Sequence, residues 1–198
     1  MNTKITSLAL ATIVAAIFTG CSNKKDVAPP VIIPCTQDGV VAPNWTCSPA
    51  DTLDGFYSDI GSAPYSKLGV DFTRREALAS ARSSLSQQIK VLVKDKVEHF
   101  SRSTGLGDKE FADKVSTHVS KQVAKVSLIG SKQTNFWQHP GNKKIFILAA
   151  VNKEVMKETI LDEVESSYQE DAARWQQFQA ENSLKKLEEE FEDIPILE

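Results

Sequence analysis

Three cysteines and three histidines are the groups in this 198-residue chain with the most chemistry to offer. Cys35 and Cys47 bound a segment of thirteen residues, both ends included. Two thiols are too few to hold a metal, and a redox pair has C-x-x-C spacing. In an exported chain such a pair closes to a disulfide. Closing a loop of that size contributes about 3 kcal/mol by loop-closure entropy. His99 and His118 fall on predicted helices and His139 in a turn, with no H-x-x-x-H pair. No Gly-rich loop follows a strand, and no G-x-S-x-G elbow occurs. Carboxylates are frequent on helix faces, but glycosidase chemistry is defined by a spatial separation that sequence does not show. The expectation is a non-enzymatic protein with no catalytic residue, no cofactor and no metal ligand.

Cys21 is the third thiol, and its setting differs. Asn2, Thr3 and Lys4 form a short polar start, Ile5 to Phe18 is mostly apolar, and Thr19-Gly20 puts two small residues before Cys21. The run is short of the about 20 apolar residues a spanning helix needs. It reads as residues 1–20 of a secretory signal with a small-residue cleavage site. The cysteine at that site resembles the lipobox of bacterial lipoproteins. The resemblance implies a diacylglycerol thioether on Cys21, cleavage before it and acylation of the new amino terminus, palmitate being an expected chain. Each buried lipid CH₂ contributes about 0.8 kcal/mol, and two or more chains anchor a protein stably. Ser22 stands where enteric-type bacteria place aspartate in inner-membrane lipoproteins, so it resembles the outer-membrane class. The expected location is the outer membrane, on its periplasmic face or at the cell surface.

The mature chain would be 178 residues, Cys21 to Glu198. Lys4 is the one charged residue of the leader, so 22 basic and 26 acidic residues remain, a net charge of −4. That balance argues against nucleic acid as a partner, which needs a basic footprint. No second apolar run approaches spanning length.

Residues 21–54 read as a lipidated, proline-rich tether containing the disulfide loop. Pro29, Pro30, Pro34, Pro43 and Pro49 are too many for a helix or central strand. Thirty-three residues from Ser22 to Asp54 would reach roughly 110 Å fully extended. Trp45 could pack on the domain and fix the tether's exit. The domain is expected over 55–164. Phe56 to Ala63 reads as a strand. Thr73-Arg74-Arg75-Glu76 has the form of a capping box, opening a helix whose stripe is Leu78, Ala81, Leu85, Ile89, Leu92, Val93, Val97 and Phe100. Asp108 is a candidate N-cap for a second helix to about Lys125. Val126 to Gly130 and Thr134 to Trp137 look extended. His139 to Asn142 is a turn, and Ile145 to Val151 is a buried strand closing a long hairpin.

From Lys153 to Phe191 there is neither glycine nor proline. The pattern predicts a long C-terminal helix, with residues 165–198 as an extension ending in acidic residues. Trp175, Phe178 and Phe191 are costly to leave exposed, so the extension is expected to form an interface with a neighbouring subunit. The fold class is α+β: a small antiparallel sheet packed by helices.

Gly55 to Ala63, followed by Glu76-Ala77-Leu78-Ala79-Ser80-Ala81-Arg82-Ser83-Ser84-Leu85, resembles the opening of the LPP-twenty family of small bacterial outer-membrane lipoproteins. Its pattern is an aromatic-glycine strand before an A-x-x-x-A-R-x-x-L helix. Ile145 to Val151 with Asn152-Lys153-Glu154 fits the strand-then-helix close. The resemblance implies an α+β domain of dodecin-like or flagellar-T-protein-like type, and envelope structure, antigen or adhesion roles rather than catalysis. Some relatives are flagellar outer-membrane lipoproteins, so the implied partners are further copies or envelope and flagellar proteins. An outward-facing adhesin and a small-ligand binding module are the rival expectations.

Overall fold

The computed structural model describes residues 34–50 and 52–192. Cys21, the signal segment and residues 193–198 of the acidic end lie outside them. A compact unit runs from Pro34 onward. β1 (Thr36–Gln37) and β2 (Val40–Val41) form a minute antiparallel hairpin. Its turn residues Asp38 and Gly39 both have positive φ, +48° and +78°. Asp-Gly is the pair such turns favour, because glycine adopts positive φ at no steric cost. A single 3₁₀ turn follows at Asn44–Thr46.

The main sheet has three antiparallel strands in the order β3, β5, β4. β3 is Phe56–Ala63, β4 Lys132–Gln138 and β5 Ile145–Asn152. β3 pairs with β5 without a register shift, Gly61 opposite Ile147. β4 carries a bulge between Gln133 and Asn135. The central strand is buried through Val151 on both faces, as its unbroken apolar sequence demands. The fold is α+β.

Among the described residues five α-helices complete the unit: α1 (Val70–Thr104), α2 (Lys109–Gly130), α3 (Lys153–Gln169), α4 (Ala172–Ala180) and α5 (Ser183–Glu192). The first half of α1 lies on the sheet. At Gly61 the approach is so close that a Cβ there would collide with the backbone of Ala77 and Ala81. The second half of α1 packs against α2, with Ser86 Oγ donating to the Ala124 carbonyl at 3.1 Å. Asp108 caps α2 as expected, its Oδ1 accepting from Phe111 N–H at 2.9 Å. One core joins the α1-facing side chains Ile145, Ile147, Ala149 and Val151 to Leu85, Ile89, Val93, Val119, Val123, Met156, Ile160 and Val164. Each fully buried aliphatic side chain of this kind contributes about 1.5–3 kcal/mol.

Three expectations change. Thr73 is not an N-cap: α1 starts at Val70, one turn earlier. The Thr73 hydroxyl donates to the Gly69 carbonyl at 3.0 Å and accepts from Ser66 N–H at 2.9 Å, pinning the preceding loop. Val126 to Gly130 is helical, because the buried stripe of α2 runs on to Ser127. The C-terminal stretch is three helices rather than one. Asp171 Oδ1 accepts from Ala173 and Arg174 N–H, both at 3.1 Å, and starts α4. Asn182, with φ +50°, turns the chain into α5. Short polar side chains at cap positions break a helix without glycine or proline.

Of the aromatic residues expected at an intersubunit interface, Phe178 and Phe191 are therefore internal and Trp175 is partly buried against the core. Phe178 is 2% and Phe191 6% exposed, and Trp175 stacks on Phe178 with ring centroids 5.6 Å apart. Phe178 also meets Tyr168 at 4.9 Å and Phe100 at 6.4 Å.

Candidate functional site

The disulfide is the clearest of the expected sites. Cys35 and Cys47 are bonded, with their Cα atoms 5.9 Å apart. Thr46 sits at the centre of the loop. Its hydroxyl donates to the Pro43 carbonyl at 2.8 Å, and Gln37 Nε2 donates to its carbonyl at 2.9 Å. The loop is fastened to the sheet domain. Asn142 Nδ2 donates to Asp38 Oδ2 at 3.0 Å, Ser58 Oγ donates to the Pro49 carbonyl, and the Asn44–Thr46 turn packs on β5. Phe146, Leu148 and Ala150, which point away from α1, are buried beneath this segment. Composition had marked these residues as spacer. The Asp38-Gly39 pair between Gln37 and Val40 is the signal for structure there.

The three histidines are not brought together. His99 Nδ1 lies 3.3 Å from Glu190 Oε1 on α5, and His118 Nε2 lies 3.2 Å from Glu163 Oε2 on α3. His139 is buried in the β4–β5 turn, where Nδ1 accepts from Gly141 N–H at 3.0 Å and Asn142 N–H at 3.1 Å. Nδ1 acts as acceptor, so the imidazole shapes the turn. Among the described residues no three His, Cys, Asp or Glu side chains are grouped to hold a metal ion. None of the described helices is long and apolar enough to cross a membrane.

A cleft of about 590 Å³ lies between α2 and α3. Phe111 and Val115 line it, with Lys114, His118, Lys121 and Glu170 around them. Lys114 Nζ stands 3.8 Å from Glu170 Oε2 and His118 Nε2 3.2 Å from Glu163 Oε2, so both side chains face carboxylates of the opposite wall. Beside it the Arg174 guanidinium lies 4.1 Å from the Phe111 ring centroid, a cation–π contact. Asp171 is held below the usual carboxylate range, first by the backbone N–H of Arg174. Burial raises the Tyr168 phenol, against a hydrogen bond from Ser101 and the charge of Arg174. Burial alone pushes the Tyr57 phenol up to about 12. These shifts follow from packing. They do not converge on one reacting point, as an acid–base pair would require.

No curated protein matches the chain. Residues 43–152 match the family described as LPP20 lipoprotein. That span opens inside the disulfide loop at Pro43, takes in β3, α1, α2 and β4, and closes at the end of β5. Helices α3 to α5 lie outside it. The match covers more than half of the sequence and traces the sheet with its two long helices, and the chain belongs to the LPP20 lipoprotein family.

Proposed function

We propose that the protein is a lipid-anchored, non-enzymatic component of the outer membrane that works by contact with envelope partners. Membership of a lipoprotein family carries the reading. Cys21, placed after Thr19-Gly20 at the end of the apolar leader, supplies the attachment point. Twelve residues, Ser22 to Ile33, separate that cysteine from the compact unit. The domain would then be held near the bilayer. A scaffold associated with the flagellum is the sharper form of this reading. Adhesion at the cell surface is its rival.

Cys21→Ser in the full chain tests it. The expected outcome is loss of metabolic labelling by a palmitate analogue and of the protein from the outer-membrane fraction. A palmitate label retained by Cys21→Ser, or absent from the unmutated chain, would overturn the anchor. The scaffold form is decided by light scattering on the chain from Ser22. A discrete multimer supports it, and a monomer at all concentrations removes self-assembly from the reading.

A second reading, a small-ligand module, rests on the α2–α3 cleft. A saturable rise in melting temperature with a ligand, abolished by Lys121→Glu, would favour it.

A further inference from the structure

Charge along this chain is sorted rather than mixed. From Lys114 to Lys153 there are seven lysines and no Asp or Glu. From Glu154 to Glu198 there are fourteen acidic and four basic residues. The mildly acidic net charge of the whole hides a basic region and an acidic one. In the fold, part of the basic region joins cations from α1. Arg74 Nε donates to Gln133 Oε1 at 3.0 Å, and its guanidinium sits 5.8 Å from the ring centroid of Phe136 on β4. Two turns along α1, Arg82 Nη2 donates to the Ser131 carbonyl at 3.1 Å, where α2 meets β4. Lys132 follows Ser131, and Lys125 lies one helical turn before Ile129. Arg74, Arg82, Lys125 and Lys132 thus gather around the corner where α2 runs into the edge strand β4, with Phe136 on the α1 side of that strand and Lys132, opposite Ala150, on its other face.

None of these four has an ion-pair partner among the described residues, whereas Lys96, Lys114, Arg174 and Lys186 do. The corner is also apolar where solvent should favour polar groups. Ile129 is 77% exposed, Phe136 44% and Leu128 43%. Arg82 Nε is buried without a partner. Unpaired cations around protruding aliphatic and aromatic side chains are what an anionic membrane interface attracts. Lysine and arginine meet the headgroups while the apolar side chains enter the boundary.

We infer that this corner, Arg74, Arg82, Lys125, Lys132 and the exposed Leu128, Ile129 and Phe136, docks on anionic phospholipid headgroups of the bilayer that holds the chain. Charge complementarity and reach carry the choice of occupant. Twelve residues span at most about 40 Å, so the tether keeps the corner at high effective concentration beside the membrane. The acidic helices of a second copy offer the same sign of charge. Leu184 is the one large hydrophobic side chain exposed on α4 or α5 among the described residues, so those helices offer little apolar surface to Leu128, Ile129 and Phe136. The inference rests on the anchored reading above, and the test separates the two by leaving the anchor out.

The chain from Ser22, which keeps the whole compact unit and no lipid, is mixed with vesicles of phosphatidylcholine alone or with added phosphatidylglycerol. Binding to the anionic vesicles only is expected, weakening as salt shortens the Debye length to about 8 Å at physiological strength. Lys125→Gln and Lys132→Gln should each lower partition about fivefold, and Ile129→Ser should lower it further. Lys185→Gln with Lys186→Gln, which removes two charges from α5, should leave it unchanged. All variants alter exposed side chains, and an unchanged melting temperature confirms their fold. Absence of binding at low salt, equal binding to neutral vesicles, or an equal loss in the α5 control would each overturn the inference. So would light scattering that shows Lys125→Gln dissolving a self-assembly while no variant binds vesicles, because the corner would then belong to a second copy. Retention of the palmitate label by Cys21→Ser bears on the anchor and leaves this result standing.

Discussion

At Gly61 a strand and a helix meet with no side chain between them. The neighbours of an added Cβ would be the backbone of Ala77 and Ala81, which cannot swing aside as a flexible side chain can. Overpacking of this kind costs about 1–3 kcal/mol, and a backbone collision belongs at the upper end. Gly61→Ala should therefore lower stability by about 3 kcal/mol, read as a shift in the urea midpoint. A loss below about 1 kcal/mol would mean that α1 can lift from the sheet. The alternation Gly61, Ala63 against Ala77, Ala81 was visible in the chain as small residues in a strand and a helix. That they touch was not, because nothing local reports which helix face approaches which strand. Cys35 and Cys47 were legible because a disulfide has few alternatives once a thiol pair is exported. The partners of their loop, Asn142 for Asp38 and Ser58 for Pro49, depend on contacts between segments distant in sequence.

Elements with a strong period were readable, and their ends and interruptions less so. The strand Phe56–Ala63 and the buried strand from Ile145 emerge where alternation or unbroken apolarity places them. The C-terminal stretch misled because helix propensity is a sum over local residues, and nothing local forbids a continuous helix. Its breaks are tertiary in origin. Turning at Asp171 and again at Asn182 buries Tyr168, Phe178, Leu187 and Phe191 in the core of the same chain. A projecting helix would leave them wet, at a cost of about 1.5–3 kcal/mol for each large side chain. The two geometries differ in what truncation does. Removal of residues 171–198 from a projecting helix would spare the domain. Here it should uncover Phe100, Tyr168 and part of the α1 surface, and the cooperative thermal transition should be lost, with near-ultraviolet circular dichroism collapsing. A truncated protein that melts cooperatively within a few degrees of the full chain would show that α4 and α5 are dispensable.

At the scale of the whole molecule, the sheet has two faces and two different covers. α1 shields one. The disulfide-closed segment from Pro34 to Pro49 lies over the other, where Phe146, Leu148 and Ala150 would otherwise meet water. A stretch that composition assigns to a spacer is thus part of the folded body. It is too short to hold its shape by its own core, and below about 40 residues a cross-link commonly supplies what a core cannot. The disulfide then does more than shorten a tether. It keeps the loop's two-residue strands and its 3₁₀ turn in a form that fits the sheet. Cys35→Ser with Cys47→Ser should lower global stability by about 3 kcal/mol through loop-closure entropy. If the cover is an integral layer, a further effect should appear. Limited proteolysis of the oxidised protein should leave a resistant fragment that retains residues 35–47, and the double variant should be cut between Asp38 and Asp54 while the sheet and helices persist. Mass spectrometry of the fragments reads the difference directly. A resistant fragment that starts near Gly55 in the oxidised protein would make the segment a spacer after all, and the buried face of β5 would need another cover.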